Sequence, residues 1–137
     1  MRGDDSLGLG ITKRLRNHVP QNVKLIECGS VPENYTAAIG RINPTHVLIV
    51  DAVHADMEPG TICIIAPKDI NQPFMSTHTL SMHFLSKYLE KTLRVKTLIL
   101  GVQVERISLG DKLSPRVRKA INEISETLIS LFNEIFK

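Results

Sequence analysis

The amino-acid sequence predicts an α/β protein in which helices cover both faces of a small, mostly parallel sheet. Two features favour this architecture. The stretch 45–52 (THVLIVDA) contains an uninterrupted apolar run at 47–50 that is too short for a helix and too uniformly apolar for a strand with one solvated face. Such runs also alternate with segments of helical periodicity, which is typical of βαβ units. We therefore expect 45–52 to be a central parallel strand with Asp51 at its carboxyl end, the edge where open α/β sheets bind ligands.

The first half of the chain predicts two helices and two strands. Asp4 or Asp5 is suited to the N-cap or the first turn of the opening helix. Pro32 is suited to the first turn of a second, short helix. In chain order we expect a helix from the paired acids to about residue 17, a strand at 22–28, a helix at 33–42 and the strand at 45–52.

The second half predicts two further strands and two amphipathic helices. Pro67 ends the first of these strands, and Ser114 followed by Pro115 opens the last helix, which has an apolar stripe to the end of the chain. In chain order we expect a strand at 61–66, a helix at 79–91, a strand at 95–104 and a helix from 114 onwards.

The beginning of the chain differs from the usual pattern of doubly wound folds. Such folds commonly lead with a strand whose carboxyl end continues into the first helix, whereas this sequence starts at the helix itself. We therefore expect that the leading strand is missing from this chain. We expect a monomer, which could associate through an open sheet edge if that strand is absent.

Length and composition indicate one globular domain, 1–137. Hydrophobic residues make up 42% and charged residues 23%, as in ordinary soluble proteins. The net charge is +3, basic residues are scattered, and aromatics are 4% without tryptophan, so we expect no nucleic-acid partner. No apolar run approaches the length of a membrane span, and no signal peptide is visible, so we expect no membrane partner.

The two cysteines predict a reducing compartment. Cys28 and Cys63 lie in strand-like runs and have no partner at the spacing of zinc ligands. They are most simply explained as buried free thiols. We therefore expect a cytoplasmic protein.

Three polar elements fall where the predicted fold would bring them together. They are Asp4 and Asp5 at the start of the first helix, Asp51 at the end of the central strand, and His78 just before the third helix. Two carboxylates and an imidazole suit a borderline divalent ion such as nickel or zinc. Two carboxylates in one cleft could also share a proton and act in acid–base chemistry.

Structural roles remain open at each of these positions. The paired acids could serve solely as helix caps, and Asp51 could serve solely to end a strand. His78 could be a cap or a surface residue. An idle carboxylate is costly in a buried setting, which favours a function for Asp51. A rival ligand set, Asp51 with His54 and Asp56, lies within one loop.

Several short strings in the chain occur in an order that identifies a family. They are GDDSLG at 3–8, CGSVPEN at 28–34, LIVDA at 48–52, PGT at 59–61, STH at 76–78, and LGVQ at 100–103 leading to LSP at 113–115. Together they resemble the [NiFe]-hydrogenase maturation endopeptidases, in particular the branch that processes formate-hydrogenlyase-type hydrogenases. The resemblance covers essentially the whole chain, except that the family's opening strand and Gly-x-Gly-Asn string are absent.

The resemblance implies a three-layer α/β/α sandwich with one antiparallel strand. It also implies an endopeptidase that removes the C-terminal extension of a hydrogenase large-subunit precursor once nickel is bound. The family's metal-contacting residues fall on Asp5, Asp51 and His78, and the two acids are the candidate catalytic residues. The nickel would be carried by the substrate rather than held permanently.

Two alternatives come from other functional classes. One is a nickel-sensing or chaperone module that binds the precursor without cutting it. The other is a hydrolase that holds its own zinc. The sequence has no HExxH zinc motif and no visible serine or cysteine nucleophile paired with histidine.

Overall fold

A computed structural model describes most of the chain. Backbone is described for residues 2–28, 32–54, 56–66, 77–104 and 114–136, and side chains for residues 7–28, 34–54, 56–66, 79–104 and 114–136. The elements in chain order are α1 (Arg2–Leu15), a 3₁₀ turn (Pro32–Tyr35), α2 (Thr36–Ile42), β1 (His46–Val53), β2 (Ile62–Ile64), α3 (Thr77–Leu93), β3 (Lys96–Gln103) and α4 (Pro115–Ile135). None of the helices in these ranges combines the length and the apolar character needed to cross a bilayer.

The three described strands form one mixed sheet in the order β1-β3-β2. β1 and β3 run parallel, with His46 opposite Lys96 and Val53 opposite Gln103, and β2 is antiparallel to β3. The prediction of a mostly parallel sheet with one antiparallel strand is confirmed. The central position of β1 is wrong for this sheet, because β3 lies in the middle. The two apolar runs are equally suited to burial, so composition could not decide which strand would be central.

Helices cover both faces of the sheet, as the sequence predicts. One face packs against α1 and α4, and the other against α2 and α3. The first core includes Leu7, Ile11, Leu15, Ala52, Val102, Val117, Ile121, Ile124 and Leu128. The second includes Ile39, Ile49, Val53, Ile65, Met82, Leu85, Leu89, Val95 and Ile99. Because β1 contributes to both cores, its burial on two faces is confirmed, and this burial explains the continuous apolar run.

The segment expected to be a strand at 22–28 has no regular secondary structure and pairs with none of the described strands. Its side chains still alternate, because Leu25 packs against the α1/α4 core and Ile26 against the α2/α3 core. A strand exists only when its backbone groups bond to a neighbouring strand. The prediction of a strand at 22–28 is therefore wrong for the described sheet, although Leu25 and Ile26 point to opposite cores as neighbouring residues of a strand would.

The start of α4 agrees with the Ser-Pro string. Ser114 is the N-cap, its side chain accepts a 3.3 Å hydrogen bond from the Val117 backbone N–H, and a proline occupies the first turn. The loop after β1 packs against this turn. Gly60 has a φ of +90°, and a Cβ there would lie 2.7 Å from the Arg116 carbonyl oxygen, so only glycine fits. Glu58 and Arg116 form an exposed ion pair of 2.6 Å beside this contact.

Candidate active site

The carboxylate of Asp51 is buried in the carboxyl half of β1. The side chain is 2% exposed, and strand alternation places it on the same face as Ile49 and Val53, which is the face that α3 covers. The Thr79 hydroxyl donates a 3.0 Å hydrogen bond to Asp51 Oδ2. A buried carboxylate is tolerated only when such partners replace water. Asp51 therefore lies within the protein interior, where it is hydrogen-bonded to α3, and does not simply end the strand.

The hydrogen bond from Thr79 locates the beginning of α3. Thr79 is the third residue of the helix and is 1% exposed. Its contact with Asp51 places the first turn of α3 beside the carboxyl end of β1. His78 is the second residue of the same turn, and its side chain lies outside the described ones.

The N-terminal half of α1 packs against the opposite face of β1. Asp5 is the fourth residue of α1, and its side chain, like that of Asp4, lies outside the described ones. Two residues further on, Leu7 belongs to the same buried cluster as Ala52, and α1 contacts β1 directly. The backbone thus carries Asp5 and His78 on helices that cover opposite faces of the strand bearing Asp51.

The rival set in the loop after β1 does not form a metal site. His54 and Asp56 are exposed, whereas Asp51 is buried beneath α3. Among the side chains that the structure describes, no group of three histidine, cysteine, aspartate or glutamate residues is arranged to hold an ion. The local spacing of three potential ligands was misleading because the strand directs Asp51 inward while the loop leaves the other two in solvent.

Gly101 lies next to Asp51 in the sheet. It faces Asp51 on one side and Cys63 on the other. A Cβ at this position would lie 2.9 Å from Val53 Cγ1 and 3.2 Å from Cys63 Sγ. The central strand β3 therefore has no side chain beside the carboxylate. The space above Gly101 is occupied by side chains from the two neighbouring strands, Val53 of β1 and Cys63 of β2.

Gln103 holds the loop that follows β1. Its side chain is buried, with Nε2 donating to the Val104 carbonyl at 2.8 Å and Oε1 accepting from the Met57 backbone N–H at 3.4 Å. Its backbone carbonyl accepts from Gly60 N–H at 2.8 Å, and its N–H donates to the Thr61 carbonyl at 2.9 Å. These bonds fix the path of the loop next to the end of β1.

Sequence reasoning missed both Thr79 and Gln103 as functional candidates. Each is a polar residue on an otherwise apolar, buried pattern, which is the feature that could have identified it. Thr79 begins the stripe of α3 that continues with Met82 and Leu89, and Gln103 follows the apolar run of β3. A polar group at such a position requires an internal partner.

The thiol of Cys28 is poorly suited to act as a nucleophile. Both cysteines are free and half-buried, which agrees with the expectation of unpaired thiols but not with full burial. Burial raises the pKa of the Cys28 thiol, which keeps it in the unreactive protonated form near neutral pH.

Comparison with known proteins agrees with this architecture. Residues 11–131 match the family model described as hydrogenase maturation protease. The hydrogenase 3 maturation protease of Escherichia coli K12 is 31% identical over 129 residues, which span 93% of this chain and 82% of that protein.

Two solved structures share the fold over nearly the whole chain. The crystal structure of the [NiFe] hydrogenase maturation protease HycI from Thermococcus kodakarensis superimposes with a TM-score of 0.83 at 26% identity, covering 96% of this chain and 85% of that one. The solution structure of the endopeptidase HycI from Escherichia coli gives a TM-score of 0.79 at 30% identity, covering 95% and 83%.

Proposed function

Because the chain belongs to the hydrogenase maturation protease family, and is therefore a peptide hydrolase, we propose that it cuts the C-terminal extension from a [NiFe]-hydrogenase large-subunit precursor after nickel insertion. The observation that carries the proposal is the buried Asp51 carboxylate. It accepts a hydrogen bond from Thr79, in the first turn of the helix that begins with Thr77 and His78. Asp51 lies near the carboxyl end of a parallel strand, and α/β proteins commonly bind ligands at this end of the sheet.

The proposed site recognises nickel that the precursor already holds. Asp5, Asp51 and His78 are the proposed ligands, two oxygen donors and one nitrogen donor, a set suited to a borderline divalent ion. Since the ion arrives with the substrate, three protein ligands leave coordination positions for the precursor's own groups. Specificity for the mature metal centre then follows from the metal itself.

Cleavage requires an activated water molecule and a group that accepts its proton. The substrate-borne nickel can polarise the scissile carbonyl or acidify a bound water. In either route Asp5 or Asp51 acts as the general base that receives the proton, which then passes to the leaving amine. We place this reaction in the cytoplasm, with the precursor as partner and with no role for nucleic acid or membrane.

The test is cleavage of purified precursor, followed by mass spectrometry of its C-terminus. We expect the wild-type protein to cut nickel-loaded precursor and to leave metal-free precursor intact. Asp51→Asn keeps the shape of the side chain but removes its charge, and should slow cleavage by about a hundredfold or more. Asp5→Asn and His78→Ala should also inactivate the protein.

Asp56→Asn is the matched control, because it makes the same chemical change at an exposed acid five residues from Asp51. It should cleave at the wild-type rate. Binding of the loaded precursor without any cleavage would instead indicate a chaperone module. Tightly held stoichiometric zinc in the purified protein would indicate a different class of hydrolase, and full activity in all three site variants would refute the site.

A further inference from the structure

We propose that Thr79 is a positioning residue for the cleavage reaction, which fixes the Asp51 carboxylate and seats the turn of α3 that carries His78. The inference rests on the proposed function, since it assigns Thr79 a role at the same site. Thr79 acts through Asp51 and is not proposed to touch the precursor.

The contact is a hydrogen bond between two buried side chains. Thr79 is 1% exposed and Asp51 2% exposed, and their side-chain oxygens are 3.0 Å apart. Water has little access to compete for either group, so the bond retains much of its electrostatic strength. It therefore restricts the rotation of the carboxylate more firmly than a surface contact would.

The direction of the Thr79 hydroxyl differs from that of two other helical threonines, Thr12 and Thr92. Thr12 donates to the Gly8 carbonyl at 2.8 Å and Thr92 to the Tyr88 carbonyl at 2.7 Å, each one turn back in its own helix. A hydroxyl has a single hydrogen to donate. Thr79 uses it across the interface between α3 and β1, where it joins the helix to the candidate catalytic acid.

The bond from Thr79 takes up only part of the acceptor capacity of Asp51. A carboxylate has roughly four acceptor sites, and a hydroxyl donor to Oδ2 uses one of them. Because His78 precedes Thr79 directly, the same bond fixes the distance between the backbone of His78 and the end of β1. A hydrogen-bond partner of this kind orients metal-contacting side chains in many proteins.

A second hydroxyl on α3 provides the control. Ser86 is also buried, and its side chain bonds to Thr97 on β3, two turns further along the helix. Both residues attach α3 to the sheet through a buried hydroxyl, but only Thr79 contacts Asp51. A purely structural role for Thr79 would make the two positions equivalent.

The experiment compares Thr79→Val, Thr79→Ser and Ser86→Ala by kcat and KM on nickel-loaded precursor, with urea unfolding of each variant. Thr79→Val keeps the size of the side chain and removes the donor, and should lower kcat by about tenfold to a hundredfold. Thr79→Ser restores the donor and should return kcat to within about threefold of wild type. Ser86→Ala should lower stability without lowering kcat.

The outcomes separate this inference from the proposed function. Wild-type kcat in Thr79→Val, while Asp51→Asn is inactive, would overturn the role of Thr79 alone, as would an equal loss of kcat in Ser86→Ala. A wild-type protein that fails to cut loaded precursor would overturn the proposed function itself. If Thr79→Val does not fold, Thr79→Cys supplies a weak donor of similar size, and a kcat equal to that of Thr79→Ser would refute the inference.

Discussion

Two glycines illustrate how differently single residues are constrained in this protein. A Cβ on Gly101 would lie 2.9 Å from Val53 Cγ1 and 3.1 Å from Ile65 Cδ1, whereas no atom of the described residues lies within 4 Å of a Cβ on Gly8 in α1. The branched Val53 side chain has little rotational freedom with which to give way. The same substitution should therefore have opposite effects at the two positions.

We expect Gly101→Ala to lower the free energy of unfolding by about 1–3 kcal/mol through overpacking beside Asp51. Gly8→Ala should raise it by about 0.5–1 kcal/mol, because alanine costs less conformational entropy in a helix. Urea denaturation measures both changes. A Gly101→Ala protein as stable as wild type would show that the sheet relaxes around the new methyl group.

The sequence could identify Asp51 but not its partner. A carboxylate directly after an apolar strand has a predictable location, at the carboxyl edge of the sheet. The hydrogen bond from Thr79 joins positions 28 residues apart, and no local pattern encodes which hydroxyl reaches which carboxylate. For the same reason the rival set with His54 and Asp56 looked plausible until the direction of each side chain was known.

Among the elements, α4 depends most clearly on a local sequence feature. Ser114 accepts a hydrogen bond from the Val117 backbone N–H, and Pro115 follows at the first helical position. This helix supplies much of the core on one face of the sheet, including Val117, Ile121 and Ile124. A defect at its N-terminus should therefore be visible in the stability of the whole protein.

We expect Ser114→Ala to lower the free energy of unfolding by about 0.5–2 kcal/mol, since it leaves a backbone N–H of the first turn without its partner. Ser114→Asp should retain most of the stability, because aspartate is an equally good cap. Thermal and urea unfolding of the pair provide the measurement. Equal losses in both variants would show that the cap is not the source of the effect.

The elements also show which predictions a sequence supports. The Ser114-Pro115 string correctly predicts where α4 begins, because helix capping involves only residues within one turn. The segment 22–28 also reads as a strand in the sequence, yet it pairs with none of the described strands. Capping is local, whereas strand pairing needs a distant partner, so only the first could be predicted with its backbone contacts.

For the molecule as a whole, the sheet separates two cores that share no helix. The α1/α4 core contains Ile121, and the α2/α3 core contains Ile99. Side chains on opposite faces of a strand do not touch each other. Losses of packing in the two layers should therefore be energetically independent.

We expect Ile99→Val and Ile121→Val each to cost about 0.5–1.5 kcal/mol. The loss in the free energy of unfolding of the double variant should equal the sum of the two single losses to within about 0.5 kcal/mol. A double-mutant cycle in urea tests this, and a coupling energy above about 1 kcal/mol would mean that the sheet transmits strain between its faces. Ile99→Val with Leu89→Ala, which changes two residues of one core, is the comparison in which coupling is expected.

The short antiparallel strand β2 has a consequence for how the protein behaves in concentrated solution. It is three residues long and ends one side of the described sheet, and its Ile64 side chain is 62% exposed. A long, flat edge strand would offer its unpaired backbone groups to a neighbouring chain as a template for amyloid-like stacking. A short edge strand removes most of that template. Self-association on this side of the described sheet would therefore depend on contacts between apolar side chains such as Ile64 more than on backbone pairing between strands.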